Sequence, residues 1–242
     1  MIRIPILPRT PLLPFPPVAQ ALDEPNGLLC AGGDLSTERL LMAYRSGIFP
    51  WFNDGEPILW WSPQPRAIFE LDGVRPNKRF RRFLRHCSWT VRVDHDFPAV
   101  IAACAAPRDA AAGTWITAAM RAAYIDLHQL GHAHCVSVHA DDTLVGGLYG
   151  LAIGRVFFGE SMFSLRTNAS KTAFFALAAT LREAGFVWLD GQVESSHLAL
   201  LGAKPLERAK FIDGLDQLCR QAPENPHWAI VFGRQPAAEL AF

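Results

Sequence analysis

The sequence predicts an α+β fold: a small N-terminal domain, then a larger domain whose mixed sheet is flanked by helices. Amphipathic segments alternate with short apolar segments typical of strands, and two of these segments form a hairpin. A hairpin requires antiparallel neighbours, which a doubly wound parallel sheet lacks. A proline-rich stretch ending in SPQP at residues 62–65 separates the two parts. We therefore expect domains over residues 1–62 and 63–242.

Composition excludes several classes of protein. The chain has 242 residues, half of them apolar, and a formal net charge of zero. Its five cysteines form no CxxC pair, so neither a zinc ribbon nor a disulfide framework is expected. This cysteine usage indicates a reducing compartment. No apolar run approaches the roughly 18 residues of a membrane helix, and prolines interrupt the N-terminus too often for a signal peptide. We expect a cytoplasmic protein.

The first part of the chain contains one expected helix. Residues 1–35 include many prolines and are expected to be irregular. The helix should begin after Ser36, with Glu38 in its first turn, and end at Gly47.

The second part alternates between strands and helices. The expected strands are residues 67–71, 89–93, 133–139, 144–149, 156–159, 186–190 and 228–232. The expected helices are residues 76–86, 97–104, 117–131, 171–184, 198–201 and 211–218. The helix at 171–184 shows the basis of these predictions, because its apolar residues recur at helical spacing and Gly185 ends it.

The hairpin between Leu144 and Phe163 ends in an unusual residue. Its second strand, Val156–Gly159, is apolar enough to be buried on both faces, yet Glu160 follows at once. Glutamate is almost never fully buried without a partner. Glu160 is therefore either one half of an ion pair or the centre of a functional site, and we pursue the second interpretation.

Asp190 and Gln192 form a second candidate site at the end of another strand. They are two residues apart, so their side chains share one face if the strand continues. The hairpin and this strand flank one helix, so Asp190 should approach Glu160. Two carboxylates and an amide can bind and orient an amine nucleophile. Alternatively, Asp190 only ends its strand and caps the following turn.

Six basic side chains cluster on the helix expected at 76–86 and just before it. They are Arg75, Lys78, Arg79, Arg81, Arg82 and Arg85. Such a face neutralises phosphates and gives salt-dependent nucleic-acid binding. No acidic residue lies in this segment to pair with the run, so we favour nucleic-acid binding over a merely solvated face.

Aromatic and histidine residues give weaker indications. Trp51 and Trp115 lie in turn-like segments, where exposed rings could stack on bases, although core packing is the alternative. On a strand His132 and His134 share one face whereas Cys135 and His139 share the other, so the four side chains do not converge and no metal site is expected. No P-loop or GxSxG motif is present, and no cofactor is expected.

Nine motifs occur in an order that resembles one family. They are EPNGLLCAGGDLS, LLMAYRSGIFPWF, ILWWSPQPRA, GTWIT, LHQLGHAH, LVGGLYG, GESMFS, NASKTA and LDGQV. From about residue 15 to about residue 212, the chain is similar to the bacterial leucyl/phenylalanyl-tRNA–protein transferases. The resemblance implies a small N-terminal domain and a GNAT-type acyltransferase domain. It also implies the transfer of leucine, phenylalanine and possibly methionine from tRNA to the N-terminal arginine or lysine of a protein, which marks that protein for degradation.

The resemblance also implies roles for individual residues. Asp190 and Gln192 match a DxQ motif that orients the attacking amine and accepts its proton, and Glu160 matches the acid that holds the cationic N-terminus. Trp51 and Trp115 would frame the terminal adenosine, and the basic helix would grip the acceptor stem. The pocket for the donor side chain would be lined by Leu148, Phe157, Met162, Phe174, Leu177, Leu181 and Leu189. The enzyme is expected to act as a monomer.

The donor preference and two alternative functions stay open. Leu148 and Phe174 differ from the family's usual residues, which leaves the preference between leucine and phenylalanine undetermined. A coenzyme A-dependent N-acyltransferase is one alternative, although RTNASK at 166–171 lacks the glycines of a pyrophosphate-binding loop. A non-catalytic tRNA-binding module, suggested by the basic helix, is the other.

Overall fold

The computed structural model describes residues 3–106 and 114–241, so Gly113 of the GTWIT motif lies outside the described residues. The strands are β1 (Ile6–Leu7), β2 (Leu28–Gly32), β3 (Phe49–Pro50), β4 (Leu59–Trp61), β5 (Arg66–Glu70), β6 (Thr90–Val93), β7 (Ala133–Ala140), β8 (Thr143–Ile153), β9 (Val156–Ser164), β10 (Trp188–Asp190), β11 (Lys204–Leu206) and β12 (Arg234–Pro236). The helices are α1 (Thr37–Arg45), α2 (Lys78–Arg85), α3 (Phe97–Ala105), α4 (Ala118–Gln129), α5 (Ala169–Glu183), α6 (Ser196–Leu201), α7 (Arg208–Leu218) and α8 (Trp228–Phe232).

The N-terminal part of the chain contains a small four-stranded sheet, in the order β1-β2-β4-β3. Trp60 is fully buried in it and donates from its indole N–H to the carbonyl of Gly32 at 2.9 Å. The prediction that residues 1–35 are irregular was wrong for the two-residue β1 and for the longer β2. That strand, LLCAG, contains no proline, and its apolar residues are buried. Helix α1 lies between Ser36 and Gly47, as the sequence predicts.

A mixed eight-stranded sheet follows, in the order β11-β5-β10-β9-β8-β7-β6-β12. Strands β9 and β10 are parallel, and the other neighbouring pairs of this sheet in the described residues are antiparallel. Helices α1, α3, α4 and α7 contribute to one hydrophobic core cluster, and α2, α5 and α8 contribute to the other. A mixed sheet flanked by helices is therefore confirmed. No helix of the described chain is long and apolar enough to cross a membrane.

Helix α5 packs tightly on the sheet because β8 carries glycine beneath its first turn. A Cβ at Gly146 would lie 2.5 Å from the Cβ of Ala169, so a larger residue would push the helix away. Leu181, near the other end of the helix, is fully buried. Truncating such a leucine to alanine costs about 2–5 kcal/mol of stability.

The C-terminal region contains an error of the sequence prediction. Residues 228–232 form helix α8 and not the expected strand. Trp228 and Phe232, four residues apart, are buried, whereas Ile230 and Val231 face solvent, which is helical spacing. A five-residue apolar run fits either structure, and only its packing partners decide. The short edge strands β11 and β12 were not predicted.

The remaining differences concern element ends. Strands β8 and β9 extend beyond the expected hairpin to Ile153 and Ser164. Helix α2 begins at Lys78, not at Pro76, because the Asn77 side chain accepts from the Phe80 N–H at 2.9 Å and caps the helix.

Candidate active site

Glu160 is the extra residue of a β-bulge in β9. The register between β8 and β9 shifts between Tyr149 and Gly150, which leaves Glu160 without a partner in β8. A bulge interrupts the alternation of side chains. Phe158 and Phe163, five residues apart, consequently join the same core cluster, although a regular strand would place them on opposite faces.

The cavity beside Glu160 results from the unequal lengths of two strands. Residues 156–158 of β9 pair with residues 188–190 of β10, and β10 then ends while β9 continues to Ser164. Among the described strands, the second half of β9 pairs only with β8. The sheet therefore opens, and a cavity of about 260 Å³ lies in the opening.

Apolar side chains form most of this first cavity. Six of the seven residues expected to line a donor pocket do line it: Leu148, Phe157, Met162, Phe174, Leu177 and Leu189. The seventh, Leu181, is fully buried and is not among the lining residues.

A second cavity, of about 180 Å³, adjoins the first and contains both predicted tryptophans. Trp51 and Trp115 line it together with Gln192, and it shares Trp115 and Glu160 with the first cavity. Trp51 is 43% exposed, and Trp61 fixes it by donating from its indole N–H to the Trp51 carbonyl at 2.7 Å. The structure thus brings Trp51, Trp115, Glu160 and Gln192 into one place.

Neutral donors surround the Glu160 carboxyl group. The Tyr44 hydroxyl donates to Oε1 at 2.6 Å, the Tyr124 hydroxyl to Oε2 at 3.0 Å, and the Gln192 amide Nε2 to Oε1 at 2.6 Å. The two phenol groups also contact each other. Burial raises the pKa of Glu160 to about 7, although the three hydrogen bonds oppose the rise, and the nearby Asp190 adds to it. Glu160 therefore titrates near neutral pH.

The phenols keep their protons. Burial, followed by the charge of Glu160, raises the pKa of both Tyr44 and Tyr124 well above the usual value. Both hydroxyl groups are consequently available as donors to the carboxyl group throughout the neutral range.

Asp190 has the opposite surroundings. Arg66 grips it with two parallel bonds, Nε to Oδ1 at 2.9 Å and Nη2 to Oδ2 at 2.7 Å, and both side chains are fully buried. Arg66 also donates to the Gly47 carbonyl at 3.0 Å and lies over the rings of Phe49 and Phe211. Asp190 does not line either cavity.

Gln192 is held at two points. Asp190 Oδ1 accepts the Gln192 backbone N–H at 2.8 Å, and Glu160 accepts its side chain. The prediction that Asp190 and Gln192 share a strand face was wrong, because β10 ends at Asp190 and Gln192 has a φ of 62°. A left-handed conformation at a non-glycine residue costs on the order of 1 kcal/mol and persists only where neighbours impose it. Here the two carboxylates impose it.

Sequence reasoning missed three residues of this network. Tyr44 and Tyr124 lie within two helices that the sequence predicts, and the available signal was that a buried tyrosine hydroxyl needs a partner. Arg66 gave no signal, because arginine is rarely fully buried and its partner is 124 positions away.

The basic helix α2 presents its cations to solvent. Lys78, Arg79, Arg82, Arg85 and Arg75 are exposed, and Arg81 is half-buried. Arg75 donates to the carbonyl groups of Leu71 and Val74. Phe80 and Leu84 bury the opposite face in the cluster that contains α5.

The histidine-rich strand has structural partners. His134 bonds to Asp94 at 2.7 Å, and His139 bonds to the Ser137 hydroxyl at 3.0 Å. Over the described ranges, no group of three or more His, Cys, Asp and Glu side chains is arranged to hold a metal ion.

A sheet opening, an apolar cavity and a buried polar network define an enzyme site, and comparison with known proteins gives the family. The model of the leucyl/phenylalanyl-tRNA protein transferase family matches residues 68–216, and the model of its N-terminal domain matches residues 33–64. The chain is 53% identical over 228 residues to the leucyl/phenylalanyl-tRNA–protein transferase of Xanthomonas oryzae pv. oryzae (strain MAFF 311018), covering 94% of this chain and 91% of the relative. It is 55% identical over 216 residues to that of Pseudomonas entomophila (strain L48), covering 89% and 95%. The chain belongs to the leucyl/phenylalanyl-tRNA–protein transferase family and is an aminoacyltransferase.

Similarity to solved structures is weaker. The structure of L-PGS from Bacillus licheniformis matches with a TM-score of 0.41 and 10% identity, over 69% of this chain and 53% of that one. A score at this level does not establish a shared fold.

Proposed function

We propose that this enzyme transfers leucine, and also phenylalanine or methionine, from aminoacyl-tRNA to the N-terminal arginine or lysine of acceptor proteins, marking them for degradation. The observation that carries the proposal is the position of Gln192. It lines the cavity between the tryptophans, next to the apolar cavity, and two carboxylates fix it there.

The two cavities fit the two parts of the donor. The apolar cavity would take the amino-acid side chain, and the cavity between Trp51 and Trp115 would take the terminal adenosine. The ester carbonyl would then lie where the cavities meet, beside Glu160 and Gly191. Such a pocket rejects isoleucine and valine by shape, although one methyl group is worth only about 1–3 kcal/mol of discrimination.

The chemistry requires mainly positioning. The acceptor α-amine attacks the ester carbonyl, the bond from that carbon to the ribose oxygen breaks, and a peptide bond forms. The amine loses a proton and the ribose hydroxyl gains one, so the overall reaction balances. The ester is already activated, and the α-amine has an ordinary pKa near 8, so much of it is neutral in the physiological range.

Gln192 would orient the amine. Its Nε2 donates to Glu160, which leaves its carbonyl oxygen free to accept an N–H from the attacking amine. An amide does not titrate, so this contact aligns and polarises the amine. Glu160 would hold the amide and place negative charge next to the incoming cationic N-terminus.

Asp190 would act through Gln192. It is fully buried and bound to Arg66, so it has no path to the substrate amine. We assign it as a positioning residue that fixes the backbone of Gln192, and not as the base.

We further propose a GNAT-type catalytic domain over residues 63–242 and a small domain over residues 1–62, acting as a cytoplasmic monomer. The small sheet ends at Trp61 and the large sheet begins at Arg66, which supports this boundary. Helix α2 would grip the acceptor stem of the tRNA.

The test is direct transfer. Purified protein would be incubated with radiolabelled leucyl-tRNA and a peptide beginning with arginine, with a peptide beginning with glycine as control. We expect label in the arginine peptide alone. No transfer by folded protein, with the tRNA still charged, would refute the proposal. Acylation by acetyl-coenzyme A instead would establish that alternative.

A further inference from the structure

A row of grooves leads from the apolar cavity to the basic helix. A groove of about 570 Å³ shares Met162 and His197 with the apolar cavity and reaches Ser170 in the first turn of α5. A second groove, of about 680 Å³, lies between that turn and α2. A third, of about 530 Å³, runs along α2 and shares Arg82 with the second. We refer to these three as the groove row.

The side chains that line the groove row indicate which kind of ligand it binds. None of the residues that line it is acidic, and its titratable cations and imidazoles are Lys78, Arg79, Arg81, Arg82, Arg85, Lys171, His86 and His197. The cavity between the tryptophans, in contrast, includes Glu160. A polyanion is favoured in the groove row, whereas the cationic end of an acceptor protein is not.

Lys171 connects the apolar cavity to the basic helix. It lies one turn before Phe174, which lines the apolar cavity, and its ammonium is 4.8 Å from the ring centre of Phe80 on α2. The side chain is half-buried, and within the described chain no carboxylate forms an ion pair with it. A cation partly withdrawn from water without a counter-ion suits an incoming phosphate.

The turn that carries Lys171 is held in place. The Ser164 hydroxyl donates to the Arg166 carbonyl at 2.8 Å and accepts the Ser170 N–H at 3.2 Å. Asn168 precedes α5, but its side chain does not cap the helix and lines the groove beside Lys171. Its amide is therefore available to a ligand.

We propose that the single-stranded 3′ end of the donor tRNA, whose last adenosine lies between Trp51 and Trp115, passes the apolar cavity and follows the groove row over the start of α5 to α2, and that Lys171 contacts its sugar–phosphate backbone. This inference rests on the proposed function, since it takes the donor to be tRNA. It adds α5 to the nucleic-acid interface and gives that helix two roles, because the same helix lines the donor cavity.

The test compares two donors, leucyl-tRNA and 2′(3′)-O-leucyladenosine, which has no phosphate. Lys171→Glu should lower kcat/KM for leucyl-tRNA by about tenfold and leave transfer from leucyladenosine unchanged. Lys210→Glu, the same change on α7, is the matched control and should alter neither, because Lys210 is 69% exposed and outside the groove row. The salt slope of binding to uncharged tRNA should fall by about 1 in Lys171→Glu.

Either of two results would overturn the inference. An equal loss with both donors would mean that Lys171 acts on the fold or on the chemistry. No loss with leucyl-tRNA, with an unchanged salt slope, would mean that the nucleic acid takes another path. Failure of the wild-type protein to use either donor would refute the proposed function instead, and the salt slope would still decide the binding path.

Discussion

Two carboxylates hold Gln192, and their surroundings differ in one essential respect. Asp190 has a buried cation, Arg66, bonded to both of its oxygens. Glu160 has two phenols and an amide, none of which carries a positive charge. The first carboxylate is fixed by charge pairing, whereas the second is solvated by neutral donors, and burial raises its pKa to about 7.

Because of this difference, we assign Asp190 a structural role and expect Glu160 to change its protonation state with pH. A buried charge paired with an opposite charge is costly to disturb. A buried carboxyl group with neutral donors can exist in both protonation states, because the donors satisfy it in part and no cation is left unpaired when it gains a proton. The backbone of Gln192 is thus fixed by Asp190, while its side chain depends on the state of Glu160.

The largest expected effect comes from removing the buried ion pair between Arg66 and Asp190. Arg66→Met leaves Asp190 buried without a counter-charge and should lower the free energy of unfolding by about 3–5 kcal/mol. Arg220→Met, which removes the exposed pair with Asp216, should cost less than about 1 kcal/mol. Urea unfolding measures both, and equal effects would contradict the buried ion pair.

A double variant sharpens this result. Arg66→Met combined with Asp190→Asn leaves no unpaired charge, so it should recover part of the stability lost in Arg66→Met alone. A double variant less stable than the single one would show that Arg66 stabilises the fold mainly through Gly47 and the two aromatic rings.

The next largest effect is the pH dependence of stability that Glu160 causes. The pKa of Glu160 rises from 4.5 to about 7, so the folded state retains a proton that the unfolded state has released. The contribution of Glu160 to stability is complete below about pH 4.5 and is lost as pH rises through 7. The stability of Glu160→Gln relative to wild type should therefore increase from pH 5 to pH 8, by on the order of 3 kcal/mol. A difference that is independent of pH would contradict this assignment.

The smallest effect is expected when one of the two phenol donors to Glu160 is removed. Tyr44→Phe or Tyr124→Phe should cost about 1–2 kcal/mol at pH 8, because each deletes a hydrogen bond to the ionised carboxylate. Each should also move the pH dependence attributed to Glu160 to higher pH. Tyr149→Phe is the matched control, since its buried hydroxyl has no hydrogen-bond partner in the described chain, and should be neutral or stabilising. An equal loss in all three variants would remove the phenols from the account.

The sequence predicted the participants better than their geometry. From the positions of a hairpin and a strand it placed Asp190 near Glu160, and in the structure the two carboxylates bind the same residue, Gln192. It did not predict that β10 ends at Asp190, because three strand residues followed by glycine are compatible with continuation or with a turn. The contact of Arg66 with Asp190 decides between the two, and local patterns do not contain it.

The same reason explains the other differences. Residues 228–232 become a helix through packing of Trp228 and Phe232 in the cluster that contains α5, which their local pattern does not specify. Amphipathic segments such as α5 were predictable because their periodicity is itself the packing signal. Short elements and buried polar networks depend on distant partners, and these are the parts that sequence reasoning missed.

The most direct test of the account is the single-turnover rate of leucine transfer from leucyl-tRNA to an arginine-initiated peptide, in wild type and in Gln192→Ala. If the two carboxylates serve to position Gln192 for the attacking amine, the rate in Gln192→Ala should fall by about 100-fold or more, with donor binding unchanged. A rate within threefold of wild type would contradict the central claim, because the residue that both carboxylates hold would then have no part in the reaction.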